Sequence, residues 1–214
     1  MDSQATANQT NAEDETSQTE TTAASREPSL FGMVVRDLAV VFGALSLWAA
    51  ADAWYQVTGL WIAQVIAVGD AILVGLIISS LFHEWGHYAG AKASNATAPR
   101  VAAKGLSLFR FNFDYAGNDH KQFHWMTYGG HIFHWGILLI LFFSIPLDNL
   151  GRIALVSAQF GFIVFATFIE YNIIKDTWDG KDPAVRITEI TPKDFQQSYV
   201  AGTLAGAFAI AALA

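Results

Sequence analysis

Three residues in the stretch LFHEWGHYAG, numbers 81–90, have the types and spacing to do chemistry at a metal: His83, Glu84 and His87. Four residues apart on a helix, the two imidazoles project from one face and can hold one ion. Glu84 then sits beside it as a general base for an attacking water. Zn2+ suits such a set because it polarises both water and a carbonyl without redox chemistry. The setting adds weight to the spacing. Residues 71–82, AILVGLIISSLF, carry no charge, and ionisable groups at membrane depth are costly and usually functional.

Depth decides which other residues can join the pair. From Trp61 to His83 is 22 residues, a helix of ~33 Å, which puts the histidines near one edge of a ~30 Å hydrocarbon core. A helix opening near Gly130 starts at that edge, with His131 and His134 in its first turns. A helix opening at Arg152 reaches Glu170 after 18 residues, or ~27 Å, and so arrives at the same edge with Asn172. A catalytic zinc takes three protein ligands and keeps one position open. Glu170, a carboxylate inside the apolar run FATFIEYNII, is the expected third ligand. Asp179, in KDTWDGKD with Asp176, is its rival and fits only if the chain folds back toward the histidines. His131, His134 and Asn172 are left open between ligands, partners that orient a ligand, and donors to an oxyanion. Asp70 has no basic neighbour in sequence and is read as packed or hydrogen-bonded, and His120 and His124 as loop residues without a role.

The elements that must position these residues are apolar helices. Of the 214 residues 53% are hydrophobic and 14% charged, with a mean hydropathy of +0.32, against roughly 25% charged in soluble domains. This is the composition of an all-α polytopic membrane protein. Five spans are expected, at about 38–54, 61–88, 130–145, 152–174 and 194–214, within one domain covering 30–214. Residues 1–29 read as a disordered acidic tail, Thr/Ser/Ala-rich and without the basic start of a signal peptide. With the N-terminus cytoplasmic, 11 of the 12 basic residues fall on the cytoplasmic side and only Arg152 lies outside, as the positive-inside rule requires. Five spans then put the C-terminus on the opposite side. SLFRFNFDY alternates phenylalanine with polar residues and predicts a small β-hairpin in a cytoplasmic loop. The tryptophans 48, 54, 61, 125 and 135 are placed as an interfacial belt. The absence of cysteine excludes disulfides, thiolate zinc sites and a cysteine nucleophile. No nucleic-acid-binding pattern is present, and nothing in the sequence speaks to oligomeric state.

HEWGH within a membrane helix resembles the H-E-x-G-H of the site-2 protease family, intramembrane zinc metalloproteases. In that family a β-hairpin follows the motif helix, as SLFRFNFDY does here. A small-residue turn then opens the next helix, where this chain has YGGHIFHW. The family's third zinc ligand is the aspartate of an N-x-x-P-x-P-x-L-D-G segment. EYNIIKDTWDG stands in that place with Asn172 and Asp179, without either proline and with Trp178 for the leucine. The resemblance implies zinc on His83 and His87, Glu84 as the base, and a membrane protein or peptide substrate cut near the cytoplasmic face in a lipid environment. Two alternatives stay open. Six histidines in three pairs (83/87, 120/124, 131/134) could serve a histidine-box di-iron lipid desaturase or hydroxylase, although no two are adjacent. The cluster could also bind a metal without catalysis.

Overall fold

The computed structural model describes residues 27–102 and 109–214, which form six helices. They are α1 (Leu30–Thr58), α2 (Trp61–Ala93), α3 (His120–Ser144), α4 (Leu150–Trp178), α5 (Pro183–Thr188) and α6 (Pro192–Leu213). Most begin where a side chain replaces a missing intrahelical partner. Ser29 accepts from the Gly32 amide, Asn149 from Arg152 and Asp182 from Val185. Asp119 with Gln122, and Thr191 with Asp194, form reciprocal capping boxes. The hydrogens of Thr191 hold the Asp194 carboxyl below the usual carboxylate range. α1 ends at Gly59, whose φ of 65° is cheap only without a Cβ. α2 begins two residues later, so the two helices run antiparallel.

α2 is the centre of the bundle and packs on α1, α3 and α4, while α6 lies along α4. Glycine sets how closely these helices meet. A Cβ on Gly86 would stand 2.4 Å from the Gly129 carbonyl oxygen, and one on Gly90 2.1 Å from that of Trp125. The i,i+4 pair Gly86–Gly90 thus brings the α2 and α3 backbones into contact beside His87, the close approach that small residues allow between membrane helices. Gly161 on α4 and Gly202 on α6 do the same, each with a Cβ position 2.7 Å from the other's carbonyl oxygen. At the far end from the histidines, buried Asp52 on α1 accepts from Asn149 (2.8 Å) and Arg152 (2.9 Å), fastening α1 to the start of α4.

Four helices, α1 to α4, are long and apolar enough to cross a membrane, so the chain is an all-helical, membrane-type protein. The count corrects the expected five. The C-terminal segment does form a helix with the expected Thr191–Pro192–Asp194 start, but its Ala, Gly, Thr and Gln content leaves it outside the four. α3 starts ten residues earlier than expected, because Asp119 and Gln122 cap it there. YGGHIFHW is therefore helix interior, not a turn, and His120 and His124 belong to α3's first turns.

The expected β-hairpin is absent as a pair of strands among the described residues, and part of SLFRFNFDY lies outside them. An isolated antiparallel bridge joins Arg100 to Phe111, with Val101, Asn112 and Asp114 donating across it. Pro99 has no N–H to return to Asn112, and the Thr97 amide goes to the Asn118 side chain at 2.8 Å, so no regular ladder forms. The alternation itself is real: Phe109 is fully buried, Phe111 and Phe113 are half-buried, and Arg110, Asn112 and Asp114 are exposed. Trp48 also departs from the interfacial belt and packs in the core with Ala71 and Val74. Residues 1–26 of the expected tail lie outside the described residues; Glu27 and Pro28 both accept hydrogen bonds from Arg100.

Candidate metal centre

Three helices deliver one side chain cluster. α2 supplies His83 and His87 one turn apart, α4 supplies Glu170, and α3 supplies His131 and His134. His83 Nε2 and His87 Nε2 lie 2.9 Å apart, and Glu170 Oε1 is 2.6 Å from the first and 3.5 Å from the second. These three atoms form a compact triangle that could hold a metal ion. Bonds of ~2.0–2.1 Å in a tetrahedral site set donors roughly 3.3 Å apart, so the His83–Glu170 edge of 2.6 Å must open by about 0.7 Å while the 2.9 and 3.5 Å edges change less. The side chains of His83, His87 and Glu170 keep 12%, 12% and 14% exposure, enough for a small molecule to reach them.

The surroundings present the donor atoms correctly. His87 Nδ1–H donates to the Met126 carbonyl at 2.9 Å, which leaves the Nε2 lone pair facing the triangle. Gly130 makes this possible, because a Cβ there would sit 2.5 Å from His87 Cε1. His134 is fully buried, donates from Nε2 to the Ser79 carbonyl at 3.0 Å, and stacks on His83 at 4.3 Å. The Nδ1 atoms of His83 and His134 have no hydrogen-bond partner among the described residues. His131 Nε2 stands 3.2 Å from Glu170 Oε2, the oxygen turned away from the triangle. Glu84 borders the same space as Glu170 on both of its sides. Burial, with the Glu84 carboxylate adding to it, raises the phenol of Tyr115 above its ordinary range.

Not every expected residue is brought here. Asp179 caps the end of α4, nine residues or ~13 Å beyond Glu170, and is exposed. Asp176 pairs instead with Arg186 at 2.6 Å. Asn172 is exposed, since two residues past Glu170 is more than half a turn around the helix. Asp70 is half-buried and makes no hydrogen bond or ion pair among the described residues. His120 and His124 turn to Thr177, whose hydroxyl is 3.0 Å from His124 Nε2, and His124 stacks on Trp178. The sequence reading missed the glycines and the Met126 carbonyl. The Gly86–Gly90 spacing was a usable signal, whereas the carbonyl left none.

Comparison with protein-family models, with curated proteins and with solved structures found no match.

Proposed function

We propose that this chain is an intramembrane zinc metallopeptidase of the site-2 protease type, cutting a membrane-embedded or membrane-adjacent peptide near the cytoplasmic face. The observation that carries the reading is the convergence of His83, His87 and Glu170 donor atoms from two helices, with Glu84 alongside. Zn2+ bound there would act as a Lewis acid on water and on the scissile carbonyl. Glu84 takes a proton from the attacking water as its oxygen bonds to the carbonyl carbon. The C–N bond then breaks, and Glu84 returns the proton to the departing amine. His87 is held by Met126 in the tautomer a ligand needs, and His131 fixes the outer oxygen of Glu170.

The positive-inside count supports a cytoplasmic N-terminus and a cytoplasmic metal edge. With four spans instead of five, the end of α4 and the start of α6 return to the cytoplasmic side, so the expected C-terminus on the opposite side loses its basis. The histidine-box alternative fares worse, because His120 and His124 face Thr177 instead of the cluster. The test is Glu84→Gln assayed on a transmembrane reporter peptide. Cleavage should fall by roughly 10²-fold or more, the low end of a general base's contribution, with metal retained. Unchanged cleavage would overturn the proposal.

A further inference from the structure

Two cavities meet at the metal cluster, and Glu84, Ile169 and Glu170 border both. The first, about 460 Å³, is bordered by His83, Ser80 and Arg110 and walled by Phe162, Phe165 and Ala166 of α4 and Phe109. The second, about 310 Å³, is bordered by His87 and walled by Phe113, Met126, Ile187 and Ile190. His83 precedes His87 along α2, so the first cavity lies on the membrane side of the cluster and the second on the outer side, where α5 folds back. Each cavity exceeds the volume of any side chain, and each is walled mainly by aliphatic and aromatic groups. Glu84 and Glu170 stand where the two meet.

A site that removed single residues from a chain end would be closed on one side of the reacting groups. This one has room on both. Resting on the peptidase reading above, we infer that the two cavities are substrate pockets on either side of the scissile bond, each selecting a large apolar side chain at the flanking position it receives. The chain passes Glu84 and Glu170 roughly along the membrane normal. One flanking side chain seats against Phe162 and Phe165, and the other against Ile187 and Ile190. Each pocket also has a polar edge, the Thr127 hydroxyl and the Tyr115 ring in the outer one and Ser80 and Arg110 in the inner one.

The experiment uses full-length protein in detergent and a set of transmembrane peptides that differ only at the two residues flanking the cleaved bond. Leu or Phe at either position should raise kcat/KM about 10- to 100-fold over Asp or Gly, the fold-change expected from burying such a side chain. Ile190→Trp fills the outer pocket and should move the preference toward Ala at one flanking position only. Phe162→Ala enlarges the inner pocket and should favour Trp over Leu at the other position only. Each variant reads a different pocket, so either one suffices if the other does not fold. Glu84-dependent cleavage that is indifferent to both flanking residues would overturn this inference and leave the peptidase reading intact. Preferences that move at the same position in both variants would also overturn it. Absence of Glu84-dependent cleavage across the whole set would overturn both.

Discussion

Gly130 is the residue whose replacement by alanine most directly probes how the bundle presents its donors. The added Cβ would stand 2.5, 2.8 and 2.9 Å from His87 Cε1, Nδ1 and Nε2. Ordinary contact begins near 3.4 Å, so the ring must withdraw by about 0.9 Å. Such a shift breaks or stretches the 2.9 Å bond from Nδ1 to the Met126 carbonyl and carries Nε2 away from Glu170. Loss of a group that orients a metal-binding histidine typically costs about 10- to 100-fold in metal affinity. Alanine also favours the helix by roughly 0.5–1 kcal/mol over glycine, so the fold itself should not be the casualty. Gly136 provides the control on the same helix, because a Cβ there meets nothing within 4 Å. Zinc affinity from chelator competition, with helix content from circular dichroism, should show Gly130→Ala weakened by that factor and Gly136→Ala unchanged. Equal affinities for the two variants would refute the argument that glycine opens space for the His87 ring.

Other consequences are open to the same kind of measurement. Asp52→Ala takes the buried acceptor from Asn149 and Arg152 and leaves Arg152 with exposed Asp148 alone; it should cost about 2 kcal/mol in an unfolding titration, whereas no measurable change would mean Asp148 suffices as its partner. Gly202→Leu cannot fit against the Gly161 carbonyl and should detach α6, raising amide exchange along residues 192–213 while α1 to α3 stay protected. Thr191→Ala removes one half of the capping box and should lower local stability at the start of α6 by about 1 kcal/mol, seen as faster exchange confined to its first turn.

Much of the site could be read from residue spacing because helices convert sequence number into depth. The rise of ~1.5 Å per residue was enough to bring Glu170 to the level of His83 and leave Asp179 beyond it. That arithmetic works only while an element stays helical. It misplaced His120 and His124, since an Asp119–Gln122 capping box extends α3 into what looked like loop. Period-two alternation correctly marked which side of residues 109–114 faces the protein. It did not reveal that Pro99 and the Asn118 side chain would deny the partner its hydrogen bonds. The Gly86–Gly90 spacing marks a close helix contact, but which backbone it meets is known only once α3 is in place. α6 had the length of a span, and its small residues serve helix contact at the expense of apolarity.

The central claim is that His83, His87 and Glu170 together hold one metal ion, and metal content of the purified full-length protein tests it most directly. The account predicts about one zinc per chain in the wild type, retained in Glu84→Gln and Asp179→Asn and lost in His83→Ala and Glu170→Ala. A protein that carries no zinc, that carries two irons, or that keeps its metal without Glu170 would contradict it.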